Sequence, residues 1–404
     1  MWKPNGRGII LMSKRCYWGA FPWERDGGAV VNYYLLKKQH ELRPQDVYYG
    51  VPKVPEELEP QYLPFINFPI VETDWENSIS GLMHTHKIPL VNLFHIGVEE
   101  FEKVIDPVHA IGGRLVLHQT IHWADDAVMQ SRRLNDFDSI VAPTEYAKKV
   151  FVQLGHVSSR KVSVIPHAVD TKRFYRHKSP LRERLGIKPH QKVVFYSGRL
   201  GLWKGVQELI PIMRELYQAY DCVFIIRGGA FGSDESRKLA KIFARLSYNN
   251  PNIIFISDWQ SPEFMEELYG FVDILIFNSG HEGFGVPLIE AMAVEAVPIT
   301  TALPNHVWIC GNTGDTAILL DPIKEVGTVN KGTKIKVATH EALRGAIQWV
   351  LENPDEAAVM GRHGVNVVKK RFDLTKVCKQ WLQLYDTLVP RNYNMDKKLL
   401  ESLE

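Results

Sequence analysis

Short apolar segments alternate with amphipathic segments along almost the whole of this chain of 404 residues. Nearly continuous apolar runs are typical of strands that are covered on both faces, and the segments between them predict helices. The predicted strands are Gly8–Met12, Leu90–Phe94, Arg114–Leu117, Ser139–Ala142, Val162–Ile165, Val193–Ser197, Cys222–Arg227, Ile253–Ile256, Ile274–Phe277 and Val297–Thr300. One helical pattern, Val206–Tyr220, contains Pro211, which predicts a kink there. Strands and helices in this order predict an α/β fold with parallel sheets and helices on both faces.

The alternation is interrupted by a polar, Pro- and Arg-rich segment, Pro166–His190, after which the strand pattern restarts. We therefore predict two Rossmann-like, doubly wound domains that face each other across a cleft. The first would comprise residues 1–172 and the second residues 173–373, followed by a C-terminal segment of residues 374–404. Ligands of such sheets bind beyond the carboxyl ends of the strands, so functional residues are expected directly after strands.

Composition and charge exclude several classes of protein. The net charge of +2, from 48 basic and 46 acidic residues, does not support binding to nucleic acid. The four cysteines lie far apart without a Cys-x-x-Cys pair, which favours a reducing compartment over a disulfide framework. Because no apolar run approaches the ~20 residues of a transmembrane helix and the N-terminus lacks a secretory signal, we expect a cytoplasmic protein.

The segment His281–Ala293 has the pattern of an anion-binding site. It follows the predicted strand Ile274–Phe277, and Gly283 and Gly285 permit a tight turn with exposed backbone amides. Pro287 is well placed to begin a helix. A strand, a glycine-containing turn and a helix N-terminus together direct free N–H groups and the helix dipole at a ligand.

Two carboxylates, Glu282 and Glu290, lie within the same segment and are separated by seven residues. Carboxylates beside an anion site are electrostatically unfavourable unless they bind hydroxyl groups, which a sugar and a ribose would supply. The local pattern alone allows an alternative, in which this is an ordinary helix start with one exposed and one partly buried glutamate.

The loop Gly198–Gly205 follows another predicted strand and carries Arg199 and Lys204. A planar guanidinium and an ammonium at the rim of a cleft suit a diphosphate. The alternative is a polar loop with two solvated cations.

Two features of the first half of the chain are also candidates. Gly27 and Gly28 open a helical pattern, where paired glycines would let the backbone approach a ligand, although they also fit a simple helix cap. His118 lies at the end of a predicted strand and could donate a hydrogen bond into the cleft, although a lone histidine is often structural. Since His84, His86 and His95 lack a cysteine or carboxylate at motif spacing, we expect no metal site.

A competing pattern lies in the middle of the chain. The glycine-rich segment Gly228–Gly232 follows a predicted strand and Asp258 follows the next, as in a dinucleotide-binding fingerprint with its ribose-binding acid. It departs from the usual G-x-G-x-x-G. It leaves an NAD(P)-dependent oxidoreductase as an alternative function.

Taken together, these motifs resemble those of the retaining glycosyltransferases of family 4, which have the GT-B architecture of two Rossmann-like domains. The resemblance covers most of the chain, and its parts occur in the order of that family. They are Gly27-Gly28, the strand that ends in His118, Asp138–Val141 with Pro143-Thr144-Glu145, Val164–Asp170 with Phe174, Gly198-Arg199-Leu200 with Lys204-Gly205, and Glu282–Glu290 with the following Ala-Met-Ala.

The resemblance implies a role for each residue. Arg199 and Lys204 would bind the donor diphosphate and stabilise the leaving nucleoside diphosphate. Glu290 would bind the nucleotide ribose, Glu282 would hold the donor sugar, and His118 would contact the transferred sugar near its 6-position. The further donor-binding positions would be Gly27, Gly28, Gly283, Phe284, Gly285 and Trp259.

The resemblance also implies the reaction and the partners. A hexose would pass, with retention, from a nucleotide sugar to a hydroxyl group of a glycan, a lipid-linked saccharide or another acceptor. Arg199 and Lys204 would supply the charge that a metal provides elsewhere, so neither metal nor cofactor is expected. The first domain would bind the acceptor and the second the donor, and a lipid-linked acceptor would bring peripheral contact with a membrane. The C-terminal helix, Leu374–Val389, would return to the first domain and bury Trp381 and Leu384.

The chain departs from the family pattern at two places. Glu295 stands where a glycine is frequent, and Leu303-Pro304-Asn305-His306 stands where a Gly-Gly loop that commonly touches the donor is frequent. An inactive relative that binds nucleotide sugars is therefore a second alternative.

Overall fold

The computed structural model of the protein describes residues 15–19, 27–43, 47–51, 70–72, 79–94, 97–122, 127–229, 233–257, 260–328 and 332–389. Within these residues the chain forms two parallel sheets flanked by helices, as the alternation of the sequence predicts. The predicted strand Gly8–Met12 lies outside the described residues. The other nine predicted strands are confirmed to within one residue at each end.

The first sheet forms the centre of what we call the first domain. Its strands are β1 (Arg15–Gly19), β2 (Val47–Val51), β3 (Ile70–Glu72), β4 (Leu90–Phe94), β5 (Arg114–His118), β6 (Ser139–Ala142) and β7 (Val162–Val164). In the described residues they pair in parallel in the order β3-β2-β1-β4-β5-β6-β7. The sequence pattern missed β1 to β3, because none of the three is a continuous run of strongly apolar residues.

Helices cover both faces of this sheet. They are α1 (Gly27–Leu42), α2 (Ile79–His86), α3 (Val98–Ala110) and α4 (Glu145–Gln153). Side chains alternate between the faces of each strand. Thus Leu115 and Leu117 pack with α2, α3 and α4, while Val116 packs on the opposite face with α1 and the C-terminal helix.

The second sheet forms the centre of what we call the second domain. Its strands are β8 (Lys192–Ser197), β9 (Cys222–Arg227), β10 (Ile253–Ile256), β11 (Ile274–Phe277), β12 (Val297–Thr301) and β13 (Ile318–Leu320). Across the part of the chain that the structure describes, they pair in parallel in the order β10-β9-β8-β11-β12-β13. An antiparallel hairpin of β14 (Lys324–Thr328) and β15 (Lys334–Val337) follows.

Helices also accompany the second sheet in the described residues. They are α5 (Pro180–Arg184), α6 (Met213–Tyr220), α7 (Asp234–Asn249), α8 (Pro262–Tyr269), α9 (Val286–Ala293), α10 (Pro304–Cys310), α11 (His340–Glu352) and α12 (Pro354–Arg371). The predicted helix Val206–Tyr220 is divided at Pro211 into a 3₁₀ turn, Val206–Leu209, and α6. Proline lacks the N–H that a continuous helix needs at this point.

The chain passes between the two sheets at two adjacent places. One is the connection after β7, which contains the predicted boundary near residue 172, and the other is Phe372–Leu374. The Val169 amide donates to the Phe372 carbonyl oxygen at 3.0 Å, and the Leu374 amide donates to the Val169 carbonyl oxygen at 3.0 Å. The crossings are therefore paired like two short strands.

The last described helix, α13 (Leu374–Leu388), lies against α1 of the first domain. Trp381 is fully buried in this contact, and Leu384 packs against it partly buried, as the amphipathic pattern predicts. Arg43 of the first domain donates two hydrogen bonds of 2.7 Å to the Asp386 carboxylate. In the parts of the chain covered by the structure, no helix is both long and apolar enough to cross a membrane.

Candidate functional site

A cavity of about 470 Å³ opens between the two sheets, at the carboxyl ends of their strands. The first domain contributes the start of α1, with Gly28 and Val31, and the residues Thr120 and His122 that follow β5. The second domain contributes the loops after β8, β9, β10 and β11. The residues of these loops and of α8 and α9 that line the cavity are Ser197, Gly198, Arg199, Trp203, Lys204, Arg227, Gly229, Ser257, Gln260, Pro262, Met265, His281, Glu282, Gly283, Phe284, Gly285, Val286, Pro287 and Glu290.

Lys204 and Glu282 form an ion pair in the wall of the cavity. Lys204 ends a 3₁₀ turn after β8, and the next residue, Gly205, has a φ of +64°. A Cβ on Gly205 would clash with Asn278, so glycine allows the turn to pack closely against the end of β11. Burial raises the pKa of Glu282, but the adjacent Lys204 ammonium outweighs this effect and the pKa is lowered overall. Glu282 is therefore a carboxylate at neutral pH.

The turn between Glu282 and α9 lines the cavity with residues 283–287. Gly285 has a φ of +116° and caps α9, whose first turn contains Pro287. Gly283 lies against the first domain, where a Cβ would come within 2.7 Å of the Thr120 Cβ atom. Both positions require glycine, and the helix N-terminus is directed at the cavity, as an anion site requires.

Glu290 lies further along α9, partly exposed to the cavity. Burial raises its pKa to about 7, although the neighbouring Tyr269 hydroxyl and Arg227 guanidinium favour the charged form. Sequence reasoning missed Arg227, which ends β9 and lines the same part of the cavity. The expectation that ligands bind beyond the carboxyl ends of the strands would have identified Arg227 as a candidate.

Arg199 is an exposed residue at the rim of the cavity, after β8. The buried Tyr196 hydroxyl donates a 2.7 Å hydrogen bond to the Arg199 carbonyl oxygen and holds the backbone in place. The structure thus brings Arg199, Lys204, Glu282 and Glu290 to one cavity, as the sequence predicts.

His118 lies elsewhere. It is 1% exposed, and its ring packs 4.4 Å from Phe94 and 4.7 Å from Trp381, measured between ring centroids. His118 points to the same face of β5 as Val116, towards α13. Of the described residues that follow β5, Thr120 and His122 reach the cavity instead. Because His118 does not line the cavity, its position gives no support for a contact between His118 and the donor sugar.

Three rings that the sequence reasoning did not single out lie at one end of the cavity. The Trp203 and His281 rings are nearly parallel with centroids 6.1 Å apart, and the His281 ring is 5.7 Å from that of His122. Burial lowers the pKa of His281 to about 4, so this imidazole is neutral at pH 7.

Of the two candidate glycines at the start of α1, one lines the cavity. Gly28 lines the cavity, and Gly27 is the first residue of α1. Trp259 lies outside the described residues, while its neighbours Ser257 and Gln260 line the cavity.

The glycine-rich segment after β9 has a packing role. A Cβ on Gly228 would clash with the Gly198 carbonyl oxygen, so glycine here lets the loops after β8 and β9 lie side by side. Gly229 lines the cavity. Gly232 and Asp258, on which the dinucleotide alternative depends, lie outside the described residues.

The two departures from the family pattern have different surroundings. Glu295 is exposed just beyond the C-terminal end of α9, at the opposite end of that helix from the cavity. Pro304–Cys310 forms α10, in which Asn305 and His306 are buried. Burial lowers the pKa of His306 to about 4, and the Thr300 hydroxyl lies 2.9 Å from its Nδ1 atom.

Among the described residues, no group of three or more His, Cys, Asp or Glu side chains could hold a metal ion.

Comparison with known proteins shows which families and proteins the chain is similar to. Residues 177–367 match the sequence model of the glycosyl transferases group 1. Over 242 residues the chain is 26% identical to a D-inositol 3-phosphate glycosyltransferase of Corynebacterium aurimucosum, which covers 58% of this chain and 54% of that protein. The chain spans about half the length of the curated relatives that it matches.

Solved structures resemble the chain over most of its length. A glycosyltransferase from Rickettsia africae matches with a TM-score of 0.75 at 15% identity, covering 93% of this chain and 98% of that one. The Anabaena protein HepE in complex with UDP-glucose matches with a TM-score of 0.71 at 17% identity, covering 93% and 99%. These likenesses confirm the predicted fold class, GT-B with two Rossmann-like domains.

Proposed function

Since residues 177–367 match the sequence model of the group 1 glycosyltransferases and the chain has the GT-B fold, we propose that this protein is a glycosyltransferase with a nucleotide sugar as donor. The transferred group is a hexose, and its anomeric configuration is retained. The observation that carries the proposal is the Lys204–Glu282 ion pair beside the glycine-containing turn at the start of α9.

The proposed chemistry follows from the charges that develop during transfer. Breaking the glycosyl–phosphate bond builds positive charge on the sugar and negative charge on the leaving diphosphate. In this proposal Lys204, Arg199 and the helix N-terminus of α9 stabilise that negative charge. Because these groups are preorganised, we expect transfer without a divalent metal.

The two glutamates have separate proposed roles. Glu282 orients Lys204 and accepts hydrogen bonds from donor-sugar hydroxyls, while Glu290 binds the ribose hydroxyls near Arg227. Since the Glu282 carboxylate already pairs with Lys204, we do not assign it the role of a covalent nucleophile. Retention is proposed from the family resemblance, with attack by the acceptor on the face from which the diphosphate leaves.

The substrates are proposed at the level of chemical class. A protein of similar fold is solved with UDP-glucose, and a relative is named as a D-inositol 3-phosphate glycosyltransferase. These comparisons support a nucleotide-activated hexose and a hydroxyl acceptor such as a glycan, a polyol phosphate or a lipid-linked saccharide. For the last of these, peripheral contact with a membrane is part of the proposal, with the cytoplasm as the compartment.

The first experiment is a panel of ligands tested by thermal shift and by donor hydrolysis. UDP-, GDP-, ADP- and TDP-sugars, NAD(H) and NADP(H) are each added with Mg²⁺ or with EDTA. A ligand at ~100 times its dissociation constant adds about 2.7 kcal/mol to the free energy of unfolding. We expect one nucleotide sugar to stabilise and to be hydrolysed slowly under both conditions. Stabilisation by NAD(P)(H) alone would overturn the proposal, and binding without any turnover would indicate an inactive relative.

Lys204→Ala tests the assigned role of the ammonium. We expect kcat to fall by about 10²–10³-fold, because a preorganised charge at the leaving group is lost. Steady-state kinetics with the donor found in the panel measure this change. The matched control is Lys238→Ala on the exposed face of α7. Transfer by Lys204→Ala at the wild-type rate would show that the diphosphate assignment is wrong.

A further inference from the structure

Asn305 lies between the two domains, in the segment that departs from the family pattern. It is the second residue of α10, and 2% of its surface is exposed. α10 packs against α4 of the first domain and α9 of the second. A buried amide at such a position must find hydrogen-bond partners, since an unpaired one would destabilise the fold.

The Asn305 side chain has partners in three separate segments. Its Oδ1 atom accepts a 2.6 Å hydrogen bond from the Thr144 hydroxyl. Its Nδ2 atom donates to the Glu282 carbonyl oxygen at 2.7 Å and to the Ile121 carbonyl oxygen at 3.3 Å. Thr144 and Ile121 belong to the first domain, whereas Glu282 belongs to the second.

The chemistry of these partners determines how the amide is oriented. Carbonyl oxygens can only accept, so the amide nitrogen must face Glu282 and Ile121. The Thr144 hydroxyl accepts from the Ala147 amide at 3.1 Å, as the N-cap of α4, and has one proton left to donate to the Oδ1 atom of Asn305. A side chain with a donor on one side and an acceptor on the other is therefore needed at residue 305.

The same contact reaches the cavity through Glu282. Its carbonyl oxygen is held by Asn305, its carboxylate pairs with Lys204, and the next residue, Gly283, lies against Thr120 of the first domain. We propose that Asn305 is a positioning residue that holds the Glu282–Gly283 turn against Thr120–Ile121, so that the two domains present their walls of the cavity in one arrangement. Its effect on sugar transfer rests on the proposed function, but the contact between domains does not.

The test is an isosteric change with a matched control. Asn305→Asp replaces the amide nitrogen by an oxygen that faces two carbonyl oxygens, and it keeps the size of the side chain. Asn252→Asp is the control, because the Nδ2 atom of Asn252 donates to the Cys222 carbonyl oxygen at 3.0 Å inside the second domain. Asn305→Ala removes the same bonds without adding a charge, and serves if the aspartate variant does not fold.

The readout is hydrogen–deuterium exchange of the full chain without ligand. We expect peptides that contain residues 118–122 and residues 281–286 to exchange about tenfold faster in Asn305→Asp than in the wild type. In Asn252→Asp they should exchange at the wild-type rate, and melting curves of both variants report global stability. Faster exchange confined to α10, or equal effects of the two variants on these peptides, would overturn the proposal.

Kinetics separate positioning from a purely structural role. Donor-binding groups lie mainly in the second domain, so Asn305→Asp should lower kcat by about tenfold or more while the KM for the donor changes by less than about threefold. Faster hydrogen–deuterium exchange of these peptides together with an unchanged kcat would overturn the proposed effect of Asn305 on sugar transfer. If no sugar is transferred by the wild type, the exchange result still decides whether Asn305 holds the two domains together.

Discussion

Glu295 is an exposed residue whose backbone conformation favours glycine. Its φ is +63°, directly after α9, and its carbonyl oxygen lies against Gly361. For a residue with a Cβ atom this left-handed conformation costs about 1–2 kcal/mol. The backbone at residue 295 therefore favours glycine, and Glu295 is not among the residues that line the cavity.

We expect Glu295→Gly to raise the free energy of unfolding by about 0.5–1 kcal/mol. Relief of the left-handed strain exceeds the extra entropy that glycine gains in the unfolded chain. Urea unfolding measures the difference. Glu295→Ala keeps a Cβ atom and should stay within about 0.5 kcal/mol of the wild type, so equal effects of the two changes would contradict the explanation.

Glu290 gives the molecule a stability that depends on pH. Burial raises its pKa from 4.5 to about 7, so the folded state holds this proton more tightly than the unfolded state does. The resulting stabilisation is fully present below pH 4.5 and is lost as the pH rises through 7. At pH 8 the folded protein contains a partly buried carboxylate that the unfolded chain would solvate better.

Glu290→Gln removes this titration. We expect the free energy of unfolding of the variant, relative to the wild type, to increase by about 1–3 kcal/mol between pH 5 and pH 8. Urea unfolding at pH 5, 6, 7 and 8 follows the change. The control is Glu356→Gln on the exposed face of α12. A difference between variant and wild type that stays constant with pH would show that Glu290 ionises normally.

At the scale of the elements, α13 is stabilised by contacts distant in sequence. Trp381 is fully buried against the first domain, and the Asn92 side chain donates a 2.8 Å hydrogen bond to the Tyr385 hydroxyl. The amphipathic pattern of residues 374–388 is enough to predict a helix. Its partners, α1 and the face of the first sheet that contains Val116, come from the other end of the chain.

We expect Trp381→Ala to lower the free energy of unfolding by about 3–5 kcal/mol, because it leaves a large cavity between α13 and the first domain. Urea unfolding measures the loss. Gln380→Ala, one residue earlier and exposed, should change stability by less than about 0.5 kcal/mol. Similar losses in the two variants, or unchanged stability after truncation at Asp373, would contradict the assigned contact.

At the scale of the whole molecule, the two paired crossings of the chain determine where the domains can move. Asp373 takes part in both. Its carboxylate caps α13 by accepting from the Lys376 amide at 3.2 Å, and it accepts a 2.7 Å hydrogen bond from the Thr171 hydroxyl in the other crossing. We expect closure of the cavity on a ligand to bend the chain at these crossings, because they connect the two sheets.

Asp373→Ala should lower the free energy of unfolding by about 1–3 kcal/mol, since a helix cap and a bond between the crossings are lost together. Asp373→Asn keeps an acceptor oxygen and should lose less than half of this. Chemical denaturation of both variants tests the ranking. An alanine variant as stable as the wild type would show that neither bond contributes.

The sequence alone was sufficient for features that depend on neighbouring residues. Continuous apolar runs predicted ten strands, of which the nine that lie in the described residues are confirmed, and Pro211 predicted the break before α6. Glycines after strands located the turn that begins at Gly283. These signals are local, because backbone geometry and the burial of each strand act over a few residues.

Tertiary structure decided which of the candidates meet. The Lys204 and Glu282 side chains form an ion pair although 78 positions separate them, because β8 and β11 are neighbours in the sheet and end at the same edge. His118 was assigned to the cavity by its place at a strand end, but α13 covers the face of β5 to which it points. The role of Asn305 likewise depends on partners in three distant segments. Contacts of this kind arise from the packing of elements far apart in the chain, and no local pattern of residues encodes them.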